Sequence, residues 1–202
     1  MSKKTYHHGN LQGLLIEKSI EMINENGTEA LSMRKLATAC GVSHTAPYAH
    51  FKDKDELLNA VEVHITKKFV AILKESVEGA GATPEGLFNL GFAYVMFFVR
   101  NPQYHKFIFS RSSIQAWVDL SYEPYGFFKS YMFETLENLG HPMDDRKPLM
   151  SIVVANLSMV HGLASLMIMA DINDVAEKEK WVQEILSENY LIFGGKENVR
   201  FS

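Results

Sequence analysis

The sequence predicts an all-α protein, and three observations carry that prediction. Apolar residues recur at three- and four-residue spacing through nearly all of the 202 residues. Glycine- and proline-bearing breaks divide those runs at helix-sized intervals, and no run of alternating apolar and polar residues marks a strand. Hydrophobic residues make up 47% of the chain, enough for a packed core at this length. The opening MSKKTYHHGN is polar and lacks the apolar run of a secretory signal, so a cytoplasmic location is expected. Cys40 is the only cysteine; it has no partner for an intramolecular disulfide and reads as a packing residue in a reducing compartment.

Taken in order, Leu15, Ile16, Ile20 and Ile23 line one face of a first helix, which Asn26-Gly27 closes with an αL stop. A short helix follows from Met33 to Cys40 and ends at Gly41. Ser43 is placed to cap a second short helix, His44 to His50, with Pro47 in or just past its first turn. Asp53, with Glu56 three positions on, starts a long helix through Leu57, Leu58, Val61, Ile65, Phe69, Ile72 and Leu73. Gly79-Ala80-Gly81-Ala82 is the clearest break, and Thr83-Pro84-Glu85 restarts a helix with a cap, a proline and an acid. Asn101-Pro102 and Ser121-Tyr122-Glu123-Pro124 interrupt the middle, and Gly140-His141-Pro142 ends a helix near Leu139. An uncharged stretch from Leu149 to Ala170 is broken by Asp171-Ile172-Asn173-Asp174. A final amphipathic helix carries Trp181, Val182, Ile185, Leu186 and Ile192.

Net charge is −4, which on its face disfavours nucleic acid, but the distribution is uneven. Up to Lys54 there are seven basic and five acidic residues, a local +2 that leaves −6 for the remainder. The acids there cluster in the first helix while the bases lie in the terminal arm and around the turn. This asymmetry permits nucleic-acid binding without establishing it.

The stretch from Ser32 to Val61 has the spacing of a helix-turn-helix. Leu36, Ala37 and Cys40 form the inner side of one helix, Gly41 supplies the turn, and Val42 plugs the angle before the next helix. Ala37 and Ala39 are small enough for so tight an αα corner. An ordinary core hairpin shares these features, but Ser43, His44, Thr45, Tyr48 and His50 are poorly suited to a core. The segment Ala37-x-x-x-Gly41-Val42-Ser43, followed by Tyr48-x-His50-Phe51-x-x-Lys54, resembles the amino-terminal signature of TetR-family regulators. Tyr6-His7-His8-Gly9-Asn10-Leu11 and Ala46-Pro47-Tyr48 are similar to one branch of that family. The branch also carries a carboxy-terminal domain named for a Trp-His-Gly motif, where this chain has Val160-His161-Gly162 and no Trp.

The resemblance implies a helix-turn-helix domain over residues 1–53 and a helical effector-binding and dimerisation domain over residues 54–202. The second helix of the motif is then expected in the major groove of double-stranded DNA. His44 and Thr45 are the candidates for base edges, with the Ala46 methyl available to a thymine methyl. Ser43, Tyr48, His50 and Lys54, with Ser32 and Arg34 on the preceding helix, are the candidates for phosphate contacts. Lys3, Lys4, His7 and His8 form a candidate arm, with a disordered tail as the alternative.

One such motif reads too few base pairs, so a homodimer on a palindrome is expected. The last two helices are its expected surface, with Leu157, His161, Leu166, Val182, Ile185 and Leu186 as the contact residues. The 149–170 stretch is long enough for a membrane span. Asn156, His161 and three serines within it favour a helix buried against its own domain on one side and a partner on the other, so no membrane is expected. The middle of the chain is unusually aromatic. Tyr94, Phe98, Trp117, Tyr125, Phe128, Met159 and Leu163 are the candidate lining of a cavity for a small apolar or aromatic effector. Arg100, Arg111 and His105 are weighed as partners for an acidic group, with both arginines better suited to the surface.

The eight histidines form no zinc-ligand or protease spacing, and neither a G-x-S-x-G nor a phosphate-cradling loop occurs. Neither an enzyme nor a metal or other cofactor is expected. The reading is a ligand-responsive transcriptional regulator, a repressor released by its effector. Its alternative is a helical protein-interaction adaptor with a vestigial DNA-binding head.

Overall fold

A computed structural model describes residues 10–111, 123–144 and 146–189. Eight α-helices and no strand are found among these described residues. The first helix, α1 (Leu11–Asn26), begins at Asn10, whose side chain accepts the Gly13 N–H at 3.0 Å. Leu15, Ile16, Ile20 and Ile23 are its buried stripe. Its end differs from the αL stop read from Asn26-Gly27. Gly27 has φ 77° but ψ 167°, so the chain leaves extended while its N–H still caps the Ile23 carbonyl. A 3-10 turn, Thr28–Ala30, leads to α2 (Met33–Ala39), where the Ser32 hydroxyl accepts the Lys35 N–H at 3.3 Å.

The segment expected to be a helix from His44 to His50 is instead a single 3-10 turn, Ala46–Ala49. Its bonds run three residues back, from Ala46 N–H to the Ser43 carbonyl (3.0 Å) and from Tyr48 N–H to the Thr45 carbonyl (3.1 Å). Pro47 has no N–H to give the Ser43 carbonyl, which is why an α-type first turn does not form there. Ser43 is not its cap; that position is held by Thr45, without a side-chain bond.

Asp53 caps α3 (Lys54–Ser76) by accepting the Glu56 N–H at 2.9 Å. The Glu56 carboxylate reaches back to the Lys52 N–H, one residue ahead of the usual capping-box partner. At 23 residues α3 is about 35 Å long, and Leu57, Val61, Ile65, Phe69 and Leu73 carry its buried face along that whole length. Next come α4 (Pro84–Arg100), α5 (Pro102–Arg111) and α6 (Glu123–Asn138). The last two are α7 (Arg146–Met169) and α8 (Val175–Asn189). As read from sequence, Thr83 caps α4 with Pro84 in its first turn. The Gly-Ala-Gly-Ala loop before it is pinned by α6: the Tyr131 hydroxyl donates to the Gly81 carbonyl, and the Asn138 amide donates to Ala82 at 2.9 Å.

α4 is the central helix, packed against α3, α7 and α8. Its rings interlock with Phe69 of α3, whose centroid lies 4.7 Å from Phe97, 4.8 Å from Phe98 and 5.1 Å from Tyr94. α7 is long and apolar enough to cross a membrane by length and composition, with a mean hydropathy of 1.9 in the most apolar 18-residue window within Lys147–Met169. It is nevertheless two-faced. Leu149, Val153, Leu157, Val160, Ala164 and Met167 are buried within the protomer, whereas Ser151, Val154, Ala155, Ser158, Leu166 and Met169 face outward.

That division corrects the residues expected at a partner surface. Leu157, Val182 and Leu186 are only 4%, 0% and 3% exposed, and fill the protomer's own core. Ile185 is part-buried against the same core, and His161 turns toward α5. Of the six, Leu166 alone lies open, at 64% exposure, next to Met169 at 82%.

Candidate nucleic-acid interface

Leu36, Ala37, Cys40, Pro47 and Phe51 are buried beneath the α2–turn corner and hold it as one unit. The Phe51 N–H closes the 3-10 turn onto the Pro47 carbonyl at 3.0 Å. Gly41, at φ 68°, makes the corner, and the Val42 N–H returns to the Ala37 carbonyl at 3.0 Å. Burial pushes the Cys40 thiol above its ordinary pKa, which keeps it an inert packing group.

Above this frame lies a continuous polar surface. Arg34, Lys35 and Thr38 come from α2, and Ser43, His44, Thr45, Tyr48 and His50 from the turn; all are exposed. Tyr48 is the most informative, a large ring left 56% exposed beside a buried proline. Ser32, Ala46 and Lys54 are part-buried at its edges. Lys54 is the first residue of α3, so its ammonium and the unpaired N–H groups of that helix end present positive potential together. The Lys35 ammonium is folded back on the Ala30 carbonyl at 3.2 Å, unlike the Arg34 side chain, which stays on the surface.

Two contacts order the turn. The Ser43 and Thr45 hydroxyls meet at 3.1 Å, and the Thr38 hydroxyl lies 3.4 Å from His44 Nε2. Thr38 already donates its proton to the Arg34 carbonyl at 3.1 Å. The imidazole therefore supplies the hydrogen, which leaves Nδ1 of His44 as an acceptor. Thr38 was missed by sequence reasoning; the available signal was its position four residues after Arg34, on the face of α2 opposite Leu36 and Ala37.

A second feature without a motif fastens α1 to α3. Glu17 Oε1 receives both His64 Nε2 and the Lys68 ammonium, each at 2.8 Å. Chiefly through the Lys68 bond, this arrangement lowers the Glu17 pKa. The Lys68 ammonium also stands 6.0 Å from the centre of the Tyr104 ring of α5.

The residues expected around an effector are drawn into one aromatic core. Tyr94, Phe98, Tyr125 and Phe128 are at most 2% exposed, and Tyr94 meets Phe98 and Phe128 edge-on at 5.5 and 6.3 Å. Leu163 and Met159 join the same packed cluster from α7. Trp117 and the arm residues Lys3, Lys4, His7 and His8 lie outside the described residues. Arg100 is on the surface, paired with Glu179 at 2.8 Å. His105 of α5 and His161 of α7, away from the polar face, stack on each other with centroids 5.3 Å apart and planes within 12°.

Residues 15–61 match the family model described as "Bacterial regulatory proteins, tetR family". That match places a tetR-family amino-terminal domain over α1, α2, the 3-10 turn and the start of α3. The tetracycline repressor protein class D of Escherichia coli is 39% identical over 51 residues, 25% of this chain and 23% of that protein. An uncharacterized HTH-type transcriptional regulator of Mycobacterium tuberculosis is 31% identical over 104 residues, 49% of this chain and 42% of its own length. The matched segments thus span less than half of these curated relatives. A crystal structure of a tetR-family regulatory protein from Rhodococcus RHA1 covers 92% of this chain and 98% of its own. At 17% identity and a TM-score of 0.68 it establishes that the two share a fold. The amino-terminal helix-turn-helix thus matches the tetR-family domain, and the helical body, α-helical with two 3-10 turns among its described residues, shares the fold of a tetR-family structure.

Proposed function

We propose that this chain is a ligand-responsive repressor that binds a palindromic operator as a homodimer and is released by a small apolar or aromatic effector. The observation that carries the reading is the exposed polar surface on a buried helix-turn-helix frame, with Tyr48 open to solvent and Lys54 at a helix start. On this reading His44, Thr45 and the Ala46 methyl address base edges, and the bare Nδ1 of His44 takes an N–H from a cytosine or adenine. Ser32, Arg34, Ser43, Tyr48, His50 and Lys54 grip phosphates and fix the register. Residues 1–53 form the reading head and 54–202 the sensing and pairing body, with α3 running from one into the other.

The dimer surface is the outward stripe of α7, Ser151, Ala155, Ser158, Gly162, Leu166 and Met169, flanked by Val154. Small residues along its centre permit close helix approach, and its apolar ends are of the kind that a soluble protomer covers. The interior around Tyr94, Phe98, Tyr125, Phe128, Met159 and Leu163 supplies the effector surface. An effector that favours one arrangement of this body over another shifts the separation of the two heads, and operator half-sites tolerate little mismatch.

An operator recovered by selection from fragmented genomic DNA and titrated by fluorescence anisotropy tests the reading. A palindrome bound at physiological salt is expected, with Tyr48→Ala and Lys54→Ala weakening binding across sequences. Lys54→Ala is expected to reduce the salt slope by about one. Binding that ignores sequence at that salt would overturn the proposal.

A further inference from the structure

The stacked histidines bring two titratable side chains into the aromatic body, and the hydrogen bonds around His105 fix which of its nitrogens carries a proton. Ser165 Oγ donates to the His161 carbonyl at 3.0 Å, which uses its only hydrogen. The 3.1 Å contact between Ser165 Oγ and His105 Nε2 is therefore donated by the imidazole. His105 is thus the Nε2–H tautomer, and its Nδ1 is an acceptor that makes no hydrogen bond among the described residues. Rings surround it. Phe109 lies 4.4 Å from His105 and 4.3 Å from His161, and Phe98 stands edge-on to His105 at 5.3 Å. Both imidazoles are only part-buried, so the group is open to approach.

This geometry argues against two occupants. Rings within 12° of parallel, with centroids 5.3 Å apart, hold their in-plane lone pairs in two separate, nearly parallel planes, an arrangement ill suited to converging on one metal ion. A carboxylate needs a positive charge, and burial with the neighbouring imidazole pushes His105 down to about 4 while burial lowers His161 as well. The pair is neutral at neutral pH. The acidic partner considered for His105 from sequence is therefore disfavoured, and a neutral hydrogen-bond donor on an aromatic or apolar body fits.

We infer that His105 Nδ1, oriented by Ser165 and walled by Phe98, Phe109 and His161, is the polar anchor of the effector site and selects a phenol or similar hydroxyl-bearing apolar molecule. The inference rests on the ligand-responsive reading and narrows it to one chemical class.

Three probes of similar size separate the possibilities: 4-ethylphenol, ethylbenzene and 4-ethylbenzoate. Each is titrated into the full chain by calorimetry, with operator release followed in parallel. The wild type is expected to bind the phenol about tenfold tighter than ethylbenzene, and the benzoate more weakly than either. His105→Phe keeps an aromatic ring and is expected to erase the phenol preference while leaving ethylbenzene binding within about threefold. Ser165→Ala, which frees the tautomer, is expected to reduce the preference several-fold. A ¹⁵N-histidine spectrum should assign His105 as the Nε2–H form in the wild type and a mixture in Ser165→Ala. Equal binding of phenol and ethylbenzene, a preference that survives His105→Phe, or no binding of any probe overturns the anchor. Probes that release the operator without a hydroxyl preference leave the responsive reading standing. A hydroxyl preference without operator release keeps the anchor and removes that reading.

Discussion

Lowering the pH from 7.5 to 5.0 should destabilise the fold through His105, and the loss can be worked from its surroundings. Burial and the facing His161 hold His105 at about 4, against 6.5 for an unperturbed histidine. The unfolded chain therefore takes up its proton first. The contribution is complete above about pH 6.5, is lost as pH falls, and levels off below about 4. At about 1.4 kcal/mol per tenfold change the full effect is at most about 3.5 kcal/mol, of which about 2 kcal/mol falls between pH 7.5 and 5.0. Partial exposure of the ring makes the upper figure a ceiling. The groups facing it are His161 from α7 and the uncharged Phe98 and Phe109, so no nearby carboxylate contact among those rings reverses the sign. Lowering of the His161 pKa acts in the same direction. Glu17 begins to titrate in the unfolded chain near pH 5, a contribution that wild type and His105→Phe share. Urea unfolding of wild type and His105→Phe, at one protomer concentration and two pH values, isolates the His105 share as a difference. Equal losses in the two proteins would refute the reasoning.

Gly162→Arg should leave the protomer folded, since a Cβ there meets nothing within 4 Å, yet convert the dimer to a monomer in sedimentation velocity; a persisting dimer would rule out the α7 stripe. Gly86→Ala should cost about 1–3 kcal/mol in chemical denaturation, because its Cβ would collide with the Tyr131 hydroxyl and break the bond to Gly81. Gly91→Ala should be neutral or stabilising by up to about 1 kcal/mol, since its Cβ would rest 3.4 Å from Val160 while gaining helix propensity. Glu17→Gln should cost no more than about 1 kcal/mol at pH 7, as the Glu17–Lys68 pair is nearly half exposed. Because the Glu17 pKa is lowered in the fold, its contribution holds above about 4.5 and disappears as pH falls through that lowered value.

The caps and breaks were legible because each is a local event. Asp53, Thr83 and Gly41 act within four residues of themselves, and their chemistry is the same wherever they stand. The length of the turn around Pro47 was not, because propensity allows a helix from His44 to His50 and only the N–H that Pro47 lacks, which would have reached the Ser43 carbonyl, decides against it. Which side of α7 and α8 faces inward was also hidden. In α7 both faces are apolar, so periodicity cannot separate Leu157 from Leu166, and only the position of α4 does. The Glu17–His64–Lys68 bridge and the His105–His161 stack join residues about 50 apart in sequence, beyond the reach of any local pattern.

α5 connects these non-local features, and its alternation of faces gives the body a route to the head. Gln103, Lys106 and Phe107 border a crevice of about 400 Å³ whose opposite wall is Ile23, Asn24, Thr28 and Glu29 at the end of α1. Tyr104 of the same helix meets Lys68, which holds Glu17 of α1. Between these positions, His105 and Phe109 face His161 and Ser165 of α7. On the proposed reading, a ligand group bonded to His105 acts on a ten-residue helix that touches α1 directly. On the α1 side the partly open crevice and the half-exposed Glu17–Lys68 pair lie beside Ile23 and Phe107, which belong to one buried apolar cluster. Because α5 packs on α1 and on α4 and carries His105 against α7, the proposed ligand response has a direct structural link to the reading head through this one helix.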